Sequence, residues 1–123
     1  MSSLYERLGG AGSIATLVDD IIEAHMHNPT IKSHFLPFRE KPKELDQAKA
    51  HLRDFLGMGS GGPEQYKGRT MPEAHKGMNI DAAEYLAAVD DIMAVMDRHG
   101  MDEETKKDVL AIAYSLKGEI MHA

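Results

Sequence analysis

The sequence predicts an all-α fold, and three observations carry that prediction. Apolar residues recur at spacings of three and four in four separate segments. Prolines and glycines fall mostly between those segments, and no stretch of useful length alternates apolar with polar as a strand would. With 123 residues the chain can bury one hydrophobic core and not two, so residues 1–123 are read as a single domain.

Each element has its own local reason. Ser3 to Leu8 forms a short first helix, stopped by Gly9 and Gly10, which together permit a sharp change of direction. Ser13 to His27 is the first long helix. Ile14, Leu17, Val18, Ile21, Ile22, His25 and Met26 lie along one stripe, with Asp19, Asp20 and Glu23 on other faces. Asn28-Pro29 ends it, because a residue before proline is pushed out of the helical region. Ile31 to Leu36 forms a single tight turn cut by Pro37, and Arg39 to Lys43, charged and proline-containing, an exposed connection. Glu44 to Met58 is the next long helix, with Leu45, Ala48, Leu52, Phe55 and Leu56 apolar. His51 falls three residues after Ala48 and four before Phe55, within or at the border of that stripe. The glycine run Gly57 to Gly62 leads into a polar loop containing Tyr66 and Arg69.

Pro72 suits the first turn of a short helix and Gly77 and Asn79 its end, which leaves His75 about one turn into a stub. Asp81 caps a helix running to His99 with Tyr85, Leu86, Val89, Ile92, Met93 and Met96 inward. Gly100 breaks it. Asp102 caps the last helix, with Val109, Leu110, Ile112, Ala113, Leu116 and Ile120 inward.

Composition removes several classes of function. A net charge of -6 argues against nucleic acid or an anionic membrane surface as partner. The absence of cysteine excludes disulfides, zinc–thiolate sites, iron–sulfur clusters and thiol catalysis. No apolar run has the length of a signal peptide or of the ~20 residues that span a bilayer, so a cytoplasmic location is expected. The nine methionines suit a soft helical core, and equally the lining of an irregular cavity.

Few reactive arrangements survive. The glycine run is not followed by the Gly-Lys-Ser/Thr of a phosphate loop, and there is no Gly-x-Ser-x-Gly elbow. Glu-x-x-His pairs do not recur on two helices, and Glu73 and His75 have the wrong spacing for one. His25 and His27 differ by two and do not share a helix face, which argues against a local zinc clip. Two histidines remain that lean inward from different helices on either side of a glycine-rich corner: His51 and His75. A planar cofactor between those helices would meet an imidazole from each side, and haem is the cofactor that uses such an arrangement. The plainer alternative for either residue is a histidine satisfied by a backbone carbonyl.

Four motifs give the chain a resemblance to the truncated haemoglobins, group I, the two-over-two globins. They are Leu4-Tyr5-Glu6-Arg7-Leu8-Gly9-Gly10, the segment from Asn28-Pro29 through Phe35, Gly61-Gly62-Pro63-Glu64-Gln65-Tyr66-Lys67-Gly68, and Met71-Pro72-Glu73-Ala74-His75. The resemblance covers nearly the whole sequence, and the spacing from Gly62 to His75 matches the family pattern without a gap. It implies a two-over-two helical sandwich around haem, with His75 as the proximal iron ligand. Phe35 matches the aromatic residue that packs against the porphyrin, Met71 a haem-contacting position ahead of the proximal histidine, and Phe55 an aromatic on the distal helix.

The departures from the family pattern are on the distal side. Members that hold oxygen tightly or oxidise nitric oxide usually carry a Phe-Tyr pair in the second helix and glutamines on the distal helix. Here the pair is Ile21-Ile22, and the glutamine positions are Ala48 and Leu52, none of which can donate a hydrogen bond. Weaker oxygen retention and faster autoxidation are expected. His51 matches a position that in cyanobacterial relatives swings in as a sixth iron ligand. Two roles are open to it: a bis-histidine haem with His75, or an outward orientation towards a haem propionate. The histidine that tethers haem covalently in those relatives falls near Gly118, so haem b is expected to be noncovalent, with His122 in the terminus. Arg69, Lys67 and Lys76 are candidate propionate partners, although solvation is the usual fate of such side chains.

The resemblance implies a monomeric haem protein that binds diatomic gases (oxygen, nitric oxide, carbon monoxide) in transport, sensing, electron transfer or reactive-nitrogen handling. An enzymatic alternative is a nitric oxide dioxygenase or peroxidase-like activity, which would need an external reductase as redox partner. A haem-free helical interaction module is the third class.

Overall fold

The computed structural model describes residues 3–67, residue 73 and residues 80–121. Among these every regular element is a helix, with one isolated parallel bridge between Ile80 and Met121 as the sole extended pairing. The helices are α1 (Leu4–Arg7), α2 (Gly10–His27), α3 (Lys32–Phe35), a 3-10 helix (Leu36–Glu40), α4 (Pro42–Gly59), α5 (Ala82–Arg98), α6 (Glu103–Ser115) and α7 (Lys117–Ile120).

α2 is the centre of the fold. Its stripe of Ile14, Leu17, Val18, Ile21, Ile22, His25 and Met26 is buried as the spacing predicts. It packs against α4 and against α5. Leu8, Val95, Met96 and Val109 complete the buried cluster, and Leu45, Leu52 and Leu56 of α4 close over it. Burying side chains of this size contributes about 1.5–3 kcal/mol each, which is what fixes α2 between its neighbours.

Helix boundaries follow the predicted chemistry at most ends. Ser3 and Glu6 form a capping box at α1, and Asp81 and Glu84 form one at α5. Asp102 caps α6 by accepting from the Thr105 N–H at 2.8 Å. Gly9 holds φ at +93°, the left-handed conformation that lets α1 turn directly into α2. Asn28 ends α2 in an extended conformation ahead of Pro29.

Four boundaries differ from expectation. α2 begins at Gly10 rather than Ser13, directly after the turn at Gly9. α4 begins at Pro42 rather than Glu44, because proline at the first position gives up only an N–H that no helical carbonyl would accept. Pro37 lies inside the first turn of a 3-10 helix, so most of the supposed connection from Arg39 to Lys43 is helical. The last helix breaks at Leu116, separating α6 from α7. Two inward assignments also fail: Leu86 is 60% exposed and Leu110 40% exposed.

A second anchor ties the chain's beginning to the corner after α4. The Tyr5 N–H donates to the Ser60 carbonyl at 2.9 Å, and the Tyr5 hydroxyl donates to Glu64 Oε1 at 2.8 Å. That bond is the main reason the Tyr5 hydroxyl titrates above its ordinary value. Gly62 must approach closely here, since a Cβ on it would lie 2.4 Å from the Tyr5 ring. Its N–H donates to the Gly57 carbonyl at 2.7 Å.

Candidate functional site

The distal candidates come together on two helices. α4 places Ala48, His51, Leu52 and Phe55 at spacings of three and four, so they share one side of the helix. All four are half-buried, and Gly57 is the one fully buried residue of α4. Ile22 is buried on the facing helix α2. Phe35, on α3, is half-buried with its ring centroid 4.9 Å from that of His25. The proximal candidates His75, Met71 and Arg69 lie outside the described residues, as do Lys76 and His122.

This set fits haem on its distal side. Ala48, Leu52, Phe55 and Ile22 would offer a porphyrin an apolar surface, and His51 would offer its iron an imidazole nitrogen. A wide groove of about 500 Å³ elsewhere does not fit it. That groove is lined by Asp20, Glu23, Asp91, His27 and Arg98 among others, and its carboxylates would oppose anionic propionates. A cleft of about 120 Å³ beside Tyr85, Val89 and Leu110 is apolar but too small for a macrocycle.

Two contacts go beyond what helical spacing predicts. Tyr66, a loop residue within the Gly61-to-Gly68 motif, sets its ring edge-on to two α4 side chains. Its centroid is 5.8 Å from His51 at 80° and 5.6 Å from Phe55 at 88°. His25 is buried, as its place in the α2 stripe predicts, and bonded through Nδ1 to Asp91 Oδ2 at 2.8 Å. Asn28 Nδ2 donates to the same oxygen at 3.1 Å. The signal for His25 was its place in the α2 stripe. Its partner, on another helix, left none.

Burial is the larger influence on His25 and pushes its pKa below the ordinary 6.5, while Asp91 offsets part of that shift. Just below pH 6.5 the unfolded chain therefore binds more protons at this residue than the folded chain does, and stability falls as pH falls through that window. Above 6.5 the imidazole is neutral in both states and the dependence vanishes. Glu23 and Asp102 add acid losses only further down, since their carboxyls are held below the ordinary 4.5 and 3.8, chiefly by hydrogen bonds from His27 and from Thr105. Urea midpoints measured from about pH 7 to pH 5 are expected to fall for the native chain and to fall less for His25→Gln. Equal slopes would remove His25 as the cause.

The order of the helices is that of a globin, and the comparisons agree. A family model described as bacterial-like globin matches residues 3–122. The group 1 truncated hemoglobin GlbN of Synechocystis sp. is 33% identical over 119 residues, covering 92% of this chain and 90% of that protein. The group 1 truncated hemoglobin of Tetrahymena pyriformis is 30% identical over 119 residues, covering 88% of this chain and 94% of that one. A crystal structure of the Tetrahymena pyriformis protein in its Fe(III) form superposes with a TM-score of 0.89 at 25% identity, over 99% of this chain and 100% of that one. The 2/2 hemoglobin from Synechococcus sp., in the cyanomet state with covalently attached heme, shares the fold with a TM-score of 0.84 at 20% identity, over 98% of each chain. The chain belongs to the bacterial-like globin family and, within it, to the group 1 truncated haemoglobins. It is therefore a member of a haem-binding family whose ligands are diatomic gases.

Proposed function

We propose that this globin binds haem b noncovalently between His75, the proximal ligand, and His51, the distal ligand, and takes oxygen, nitric oxide or carbon monoxide at the iron. His75 would hold the iron from one side, and His51 would give way on the other when such a ligand binds. The observation that carries the reading is the half-buried apolar face of α4, on which His51 is the lone ionisable side chain among Ala48, Leu52 and Phe55. Ile22, Ala48 and Leu52 exclude water and donate no hydrogen bond to a ligand in the pocket. Phe35, Met71 and Phe55 pack on the porphyrin, and Arg69 pairs with a propionate. Gly118, on α7 where the covalent tether of some relatives would fall, has no side chain to form one, which supports noncovalent attachment.

In this reading the chain works as a single-domain cytoplasmic monomer whose iron is kept ferrous by an external reductase. No helix among the described residues is long and apolar enough to cross a membrane. Haemin titration of the purified chain, followed by dithionite reduction and carbon monoxide, tests it. A 1:1 endpoint and a sharp histidine–carbonyl Soret band are expected. Failure to saturate at one equivalent would contradict the reading.

A further inference from the structure

Tyr66 stands between the fixed corner of the fold and the distal histidine. Two residues upstream, Glu64 is tied to the Tyr5 hydroxyl at 2.8 Å, and the Gly62 N–H is tied to the Gly57 carbonyl at 2.7 Å. Gly62 and Gly57 both press so closely on the Glu64 carboxylate that a Cβ on either would overlap it. The stretch that leads into Tyr66 is thus held at two points, and the ring it delivers meets α4 in one place. There it contacts two side chains four residues apart on one face, His51 at 5.8 Å and Phe55 at 5.6 Å, both nearly perpendicular to it.

Perpendicular contacts of this kind set positive ring edges against negative ring faces and resist rotation of either partner. Without such a contact, a half-buried imidazole on a helix surface gains by turning towards water, where both its nitrogens are hydrated. Phe55 marks the other side, since it lies on the face where the pocket is proposed. A ring that contacts both residues keeps the His51 imidazole with Phe55.

We infer that Tyr66 is the positioning residue of His51: its ring holds the imidazole on the pocket side of α4 and so sets how often His51 bonds the iron. The inference rests on the reading of His51 as distal ligand. The contribution of one such aromatic contact corresponds to roughly a 2- to 12-fold change in the ratio of ligated to unligated His51.

The test uses the haem-loaded ferric protein as wild type, Tyr66→Phe, Tyr66→Ala and His51→Ala, with the low-spin to high-spin ratio read by EPR and optical spectra. Tyr66→Phe, which keeps the ring, should keep the wild-type ratio. Tyr66→Ala should lower it by about 2- to 12-fold. An unchanged or increased low-spin fraction in Tyr66→Ala would overturn the inference. If wild type and His51→Ala are both high-spin, the distal-ligand reading has failed, and the positioning role is then decided by NMR of the diamagnetic carbon monoxide form. There the NOEs between His51 and Phe55 ring protons should weaken in Tyr66→Ala and persist in Tyr66→Phe. Unchanged NOEs in Tyr66→Ala would overturn it.

Discussion

Replacement of His75 by alanine is expected to abolish the bis-histidine haem spectrum and to speed haem loss more than any other single change in the chain. Outer partners of metal ligands typically contribute ~10–100-fold to affinity, and loss of the ligand itself should exceed that range. The apolar contacts would remain, so the variant should still take up haemin loosely by burial of the porphyrin. Added imidazole should restore part of the spectrum, because it returns the nitrogen without the helix. Transfer of haem to an excess of a scavenging apoprotein measures the rate. A variant that holds haem as tightly as the native chain would assign the proximal bond to another residue.

The second large effect is on the distal side. Ile22→Tyr should slow oxygen dissociation by roughly 10- to 150-fold, the range given by a hydrogen bond to a charged group of ~1.5–3 kcal/mol. It should slow autoxidation as well. The cost appears in stability, because Ile22 is 6% exposed and packed in the α2 core. Overpacking of this kind costs about 1–3 kcal/mol. The variant is therefore expected to melt earlier while holding oxygen longer. Stopped-flow displacement of oxygen by carbon monoxide reads the first effect and thermal unfolding the second. An unchanged dissociation rate in a folded variant would show that residue 22 does not face the ligand.

How much of this was legible in the sequence depends on the range of the interaction that fixes each feature. α2 was readable from Ser13 to its last turn because its signals there are local: seven buried residues at helical spacing, and a proline just after the helix end. Its start at Gly10 was not, because glycine is a poor helical residue. The caps at Asp81 and Asp102 were readable for the same reason. Pro42 misled because proline is both a breaker and a good first helical residue, and only the chain beyond it decides which. Leu86 and Leu110 misled because periodicity marks a face of a helix without saying what covers it.

The candidate site divides in the same way. Ala48, His51, Leu52 and Phe55 share a face by helical arithmetic alone, and the structure puts them there. The contact of Tyr66 with His51 depends on where a loop is tied down, by Tyr5 near the other end of the chain. The His25–Asp91 bond joins residues 66 positions apart. Neither pairing has a local signature in the chain.

The proposed distal role of His51 decides the iron coordination of this globin. It is tested most directly by the EPR spectrum of the ferric haem-loaded protein, recorded beside that of His51→Ala. A low-spin bis-histidine signal is expected in the native chain, becoming high-spin in the variant. A native chain that is already high-spin would contradict it.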